Sequence, residues 1–210
     1  MMTKDYRNTQ YCPSLENIAD KKKKLQNDII EKHPRQRNIY NKVRDKKSSY
    51  NEQFVQIYNY KCAYCGVSMD VLPAQLFEVD HFIAESLFDN KNEAGKLENL
   101  ALSCYQCNRN KSNFALVGEY TKKLCTDDGK IADVFCRDED YYIRIKDEYK
   151  EDETIKKFYD KLQLVHQTRR LDYLLMNMKG LYKKLEGTTE GGRLAQAILI
   201  MQEKRNKFIA

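Results

Sequence analysis

The chain has no apolar stretch of membrane-spanning length: its longest unbroken run is Ala197–Met201. Its first ten residues are polar and hold no signal core. It has no internal repeat and no low-complexity tract. These absences exclude a membrane-spanning helix and a repeat-built fold, and lead us to expect a cytoplasmic protein. Histidine is scarce, with three in 210 residues, so few imidazoles are available as bases or ligands. Cysteine is not: there are seven, and in a reducing compartment they suggest metal ligation before disulfides. A hydrophobic share of 41% against 32% charged suits a globular chain, long enough for one generous domain or a small core with helical additions.

The net charge of +6 is unevenly spread. Residues 1–60 carry thirteen Lys/Arg against seven Asp/Glu, or +6; residues 61–126 carry seven against eight, or −1; the remainder carries seventeen against sixteen, or +1. A basic arm beside a reactive site attracts phosphates and raises the encounter rate. Lys21–Lys24 read equally well as a solvated helix face.

Three zones follow from the patterning, and the class expected is α+β, mostly helical. Residues 1–60 form a helical, basic N-terminal region. Leu15, Ile18, Leu25 and Ile29 predict a helix from about Ser14 to Lys32, ended by Pro34. Ser49 and Glu52 have capping-box spacing for a second helix that buries Phe54, Ile57 and Tyr58. Residues 61–126 read as a turn at Cys62–Gly66, a strand within Leu76–Phe82, a loop over Phe88–Lys96, a strand at Leu100–Ser103 and a helix from Cys107 to about Phe114. Residues 127–210 read as a β-hairpin plus a helical region. Ile131–Phe135 and the alternation of Tyr141, Ile143 and Ile145 predict the hairpin, turning near Asp138–Asp140. Ile155, Phe158, Leu162 and Val165 give one helical stripe, and Leu171, Leu174, Leu175, Met178, Leu181 and Leu185 another. Gly187–Gly192 breaks the chain before a last helix over Arg193–Lys207.

The middle zone carries the chemistry. Cys62 and Cys65 form one Cys-x-x-Cys turn, Cys104 and Cys107 a second. Each places two thiolates on one edge of a tetrahedron, so the four predict a structural zinc. Its binding adds folding energy to a segment whose short sheet buries little by itself. Cys12, Cys125 and Cys136 have no partner at ligand spacing.

Between the cysteine pairs lie Asp80 and His81, then Asn99; Asn108 follows Cys107 directly. A neutral His can deprotonate water. Asp80 and the amide oxygen of Asn108 are hard ligands for a divalent cation. Adjacent strand residues face opposite ways, but at a strand end Asp80 and His81 can reach one cleft. Asn108 reads also as a helix N-cap, and Asn99 as a turn residue. Arg109 and Lys111, on the same helix, read as phosphate contacts or as a solvated face. His33, beside Pro34, and His166, inside a helical stripe, read as surface or packing residues.

In this order and spacing, Cys62, Cys65, Asp80, His81, Asn99, Leu100, Cys104, Cys107, Asn108 and Lys111 resemble the HNH endonuclease family. The resemblance covers roughly a third of the chain. It implies a small zinc-stapled ββα-metal core with helical N-terminal and C-terminal extensions. It implies His81 as general base, Asp80 and Asn108 as ligands of a catalytic Mg²⁺ or Mn²⁺, and Asn99 as the residue that orients the His81 loop. One departure is the stretch Phe82, Ile83, Ala84, where many members have a proline. The implied reaction is metal-dependent hydrolysis of DNA, double-stranded DNA first. The flanks are similar to stand-alone HNH proteins of bacterial anti-phage defence, Septu and retron-linked nucleases among them, which implies an ATPase partner. A phage, mobile-element or restriction-type nuclease stays open. The Leu171–Leu185 stripe suits a homodimer, or more simply an internal core. The rival readings are a zinc-stabilised nucleic-acid binder without chemistry and a subunit that cuts only with its partner.

Overall fold

The computed structural model describes residues 3–35 and 38–207; Met1 and Met2 of the polar N-terminal stretch lie outside it. Helix α1, Ile18–Lys32, buries Ile18, Leu25 and Ile29. It starts at Ile18 rather than near Ser14 because Asn17 takes a left-handed conformation at φ 53°, and it stops at His33, before Pro34. A short helix that periodicity could not reveal, α2, spans Ile39–Arg44 and is capped by the Asn38 side chain. Helix α3, Ser49–Ile57, buries Phe54 and Ile57, with Tyr58 buried just beyond it. Its cap is Ser48, whose hydroxyl accepts from the Tyr50 N–H, rather than Ser49.

The middle zone forms an antiparallel hairpin of β1, Phe77–His81, and β2, Leu100–Cys104, paired from Phe77↔Cys104 to His81↔Leu100. The long connection between them contains one α-helical turn, α4, Lys91–Ala94, within the expected loop, with 3-10 turns at Glu85–Leu87 and Leu97–Asn99 on either side. Helix α5, Tyr105–Lys111, packs on both strands. It begins two residues before Cys107 because Cys104, still extended, is its N-cap, and it ends where Ser112 turns to φ 49°. The order strand, strand, helix is a ββα core.

Short helices α6, Tyr120–Lys123, and α7, Ile131–Val134, lead into the second hairpin. That hairpin is β3, Phe135–Arg137, with β4, Ile143–Ile145; the apolar run Ile131–Phe135 is mostly the helix α7 rather than strand. Helix α8, Glu153–Lys161, is capped by Asp152 and buries Ile155 and Phe158, while Val165 beyond it is exposed. His166 is not inside a helix: it caps α9, Gln167–Leu185, by accepting from the Thr168 N–H. Helix α10, Thr189–Asn206, takes in Gly191 and Gly192 and packs along α9. The fold is α+β and mostly helical, with two small sheets among the described residues. Among the described residues, no helix is long and apolar enough to cross a membrane.

One hydrophobic core runs from Tyr6 to Ile198 and draws on all three zones. Buried cations tie the helical additions to the ββα unit. Lys22, expected on a solvated face, is buried: it donates to the Leu100 carbonyl at 2.6 Å and pairs with Asp127. Arg7 donates to the carbonyls of Ala63 and Thr126 at 2.7 and 2.8 Å while paired with Asp5. At Gly66, φ is +79° and an added Cβ would lie 2.4 Å from the Arg7 carbonyl oxygen, so only glycine fits this turn.

Candidate active site and metal centre

The four cysteines of the two turns are buried, and their sulfurs all lie within 4.8 Å of one another. Cys65 Sγ and Cys104 Sγ are 3.8 Å apart. A tetrahedron with metal–sulfur bonds of about 2.3 Å has edges of about 3.8 Å, so the spacing suits zinc, whereas a disulfide needs about 2 Å. None of these cysteines is in a disulfide. The donor set is therefore one that can hold a structural zinc.

Three pieces of sequence meet there. Cys62–Gly66 supplies a turn, Cys104 ends β2, and Cys107 lies on the first turn of α5. A fourth comes from far away: Arg169, on the first turn of α9, places Nη1 3.5 Å from Cys65 Sγ and 3.7 Å from Cys104 Sγ. Burial opposes its charge, but the surrounding sulfurs outweigh burial and hold the guanidinium protonated. Nothing in the sequence spacing pointed to Arg169.

Along β1, side chains alternate between faces. Asp80 shares its face with Glu78, and both turn toward α5. Asp80 is only 7% exposed. Its Oδ2 accepts from the Tyr64 hydroxyl at 2.6 Å and lies 3.2 Å from Lys111 Nζ; Oδ1 carries neither bond. Burial raises the Asp80 carboxyl from the usual carboxylate range, against the pull of Lys111 and Tyr64. Glu78, not singled out from the sequence, accepts from Asn108 Nδ2. Period-two alternation back from Asp80 is the signal that finds it. Asn108 is the fourth residue of α5, not its cap, and its bond through Nδ2 leaves Oδ1 free. Glu78 and Asn108 thus meet where β1 faces α5, with Asp80 two residues along the same strand face; carboxylate and amide oxygens are hard donors.

His81 ends β1, half-buried, with its ring centroid 4.4 Å from that of Tyr40. No hydrogen bond to the imidazole is formed among the described residues, so a ring nitrogen is available to water. Burial lowers its basicity below the usual histidine range; Lys111 and Arg44 act in the same direction and Glu85 opposes them. An imidazole in that state is neutral near pH 7 and able to take a proton.

Asn99 brackets the loop that follows His81. Its Oδ1 accepts from the Ile83 N–H at 2.9 Å, its Nδ2 donates to the carbonyls of Ile83 and Ala94 at 3.0 and 2.9 Å, and its own carbonyl accepts from the Phe82 N–H at 2.7 Å. Lys111 differs from expectation. It is 1% exposed, and its ammonium donates to the His81 carbonyl at 2.8 Å while facing Asp80, so it is an internal strut and cannot reach a phosphate from there. Arg109 remains at the surface, 64% exposed, beside Glu78 and over the Tyr105 ring. His33 bonds Tyr50, away from this cluster.

Residues 62–114 match the family model of HNH endonuclease. That stretch runs from the first cysteine turn past the end of α5 and contains the zinc-ligand set, the Asp80–His81 pair, Asn99 and Asn108. The match to an HNH endonuclease domain spans 53 of the chain's 210 residues. No curated protein and no solved structure matches the chain.

Proposed function

We propose that this chain is a metal-dependent endonuclease that hydrolyses phosphodiester bonds in DNA, with residues 61–126 as its nuclease core. The observation that carries the reading is the junction of β1 and α5. An unbonded, weakly basic imidazole ends the strand that carries Glu78 and Asp80 on one face, and Glu78 meets Asn108 of α5. His81 takes a proton from water as the water oxygen bonds to phosphorus. The bond from phosphorus to the 3′ oxygen breaks, leaving a 5′-phosphate and a 3′-hydroxyl. Asp80 Oδ1, Asn108 Oδ1 and a Glu78 oxygen would hold the divalent cation, Mg²⁺ or Mn²⁺. Bound there, that cation neutralises charge on the phosphate and on the leaving oxygen. Asn99 keeps the loop after His81 in place, and Arg109 meets a phosphate from the surface. The four cysteines hold a zinc that fastens β2 and α5 to the first turn.

The biological setting we infer is phage defence or restriction in the cytoplasm, on double-stranded DNA, with an ATPase partner or a second copy of the chain. This rests on the likeness of the flanking helical regions to Septu and retron-linked proteins. One ββα unit cuts one strand, so a double-strand break requires a partner or a dimer. A binding module without chemistry is the second reading, favoured by the tie of Asp80 Oδ2 to Tyr64 and Lys111, which suits a purely structural carboxylate. Incubation with supercoiled plasmid separates the two. Nicking with Mg²⁺ or Mn²⁺ that stops on chelation supports the nuclease; binding with no nicking under any of these ions supports the module.

A further inference from the structure

An open groove of about 670 Å³ lies between α2, α3, the segment from Tyr60 to Met69, and β1, and its rim reaches Glu78 and Asn108. Its floor is apolar, made by Val55, Val79 and Leu102, all buried. Two tyrosines border it. Tyr40 lies between the His81 ring on one side and the Arg44 guanidinium, 5.2 Å from its ring centre, on another. Tyr60 is 40% exposed and has a left-handed backbone at φ 58°, directly after Asn59 at φ 49°. A bulky aromatic residue in that region costs of order 1–3 kcal/mol and persists only where its surroundings hold it. Here the Tyr60 hydroxyl donates to Glu52 at 2.8 Å, which fixes the ring at the groove edge.

The charges suit an anion beside this wall. The two groove carboxylates are engaged, Glu52 by Tyr60 and Gln56, Glu78 by Asn108 and Arg109. Arg44 and Lys46 are exposed and form no salt bridge among the described residues. The volume is that of a single small ligand, not of a duplex. Within a duplex, bases stack on each other and offer no face to a protein ring; an unpaired base stacks on aromatic side chains for about 1–3 kcal/mol.

We propose that this groove takes one unstacked nucleotide of the strand beside the cut, its base on the exposed Tyr60 and its flanking phosphates on Arg44 and Lys46. Within double-stranded DNA the preferred position is therefore one that is locally unpaired, and a single strand is its simplest probe. The location of the cut rests on the nuclease reading above; the binding does not. The test uses the full chain in buffer free of divalent cations, so that no cutting intervenes. Anisotropy is read for a labelled single-stranded oligonucleotide and for the matching blunt duplex. The single strand is expected to bind about tenfold more tightly than the duplex, the equivalent of one stacked base. Tyr60→Gly suits the left-handed backbone and so folds; it is expected to remove that advantage and leave duplex binding unchanged. Joint replacement of Arg44 and Lys46 by Ala is expected to lower the salt slope for the single strand by about 1.4, from about 0.7 per phosphate contact. Equal affinity for the two substrates, or wild-type single-strand binding by Tyr60→Gly, overturns the proposal. A chain that nicks plasmid but gives either of those results is a nuclease without this groove function. A chain that binds single strands through Tyr60 yet nicks nothing keeps the groove and loses the nuclease.

Discussion

Arg169 on α9 sets its guanidinium 3.5 Å from Cys65 Sγ and 3.7 Å from Cys104 Sγ, across 104 and 65 residues of sequence. Four thiolates around a divalent zinc leave a net charge of −2, so a buried cation at this distance offsets half of it. The same guanidinium joins the C-terminal helices to the ββα unit, because it also donates to the Leu162 carbonyl at 3.3 Å.

Arg169→Met is therefore expected to weaken zinc retention by about 10–100-fold, the range seen when groups behind metal ligands are removed. Competition with a chromophoric chelator measures it. Zinc retained with wild-type affinity would mean that Arg169 only packs.

Lys111 and Arg109 lie two residues apart on α5 and should behave oppositely. Lys111→Met leaves Asp80 buried without its cation and is expected to cost about 3–5 kcal/mol in urea denaturation. Arg109→Ala, at an exposed site, should change stability by no more than about 0.5 kcal/mol. It should weaken nucleic-acid binding at low salt, as loss of a phosphate contact does. A stable Lys111→Met protein with impaired binding would restore Lys111 to the phosphate role that its burial denies it.

Asn99→Ala removes three side-chain hydrogen bonds from the loop after His81, a stability loss of about 2–3 kcal/mol. If that loop aims the imidazole, cutting should fall by about a hundredfold, the scale of a 1 Å misplacement, with zinc content unchanged. A stability loss with cutting intact would confine Asn99 to folding.

The pH profile of cutting should follow His81. A general base works unprotonated, so activity rises with pH through its titration. Burial and the cations Arg44 and Lys111 lower that titration below the ordinary histidine value of 6.5. A cation held by Asp80 would lower it further. The acid limb should therefore lie below 6.5 and disappear in His81→Ala. An acid limb well above 6.5 would contradict the environment described for this ring.

Local patterns were the legible ones. Cys-x-x-Cys turns are set by four residues each, and both pairs converge as expected. The β1 and β2 strands and Asn99 also fall where their short-range patterns place them. Long-range burial of charge was not legible. Lys22 read as part of a basic run, Lys111 as a surface lysine and Arg7 as part of a basic arm, yet each bonds carbonyls distant in the chain. Helix α2 escaped because six residues hold too few turns for a period to show. Asn108 reads as a helix start because it follows the Cys-x-x-Cys turn directly; the extended backbone of Cys104 places the start of α5 at Tyr105 instead. Glu78 required counting back along a strand face from Asp80.

The central claim is that the imidazole of His81 activates water beside a cation held by Glu78, Asp80 and Asn108. Its most direct test is the rate of plasmid nicking in Mg²⁺ or Mn²⁺ by wild type and by His81→Ala, with zinc content and thermal stability measured on the same preparations. The account predicts metal-dependent nicking by wild type and a loss of about 100–10,000-fold in a variant that is folded and zinc-loaded. A folded, zinc-loaded His81→Ala protein that nicks at the wild-type rate would contradict it.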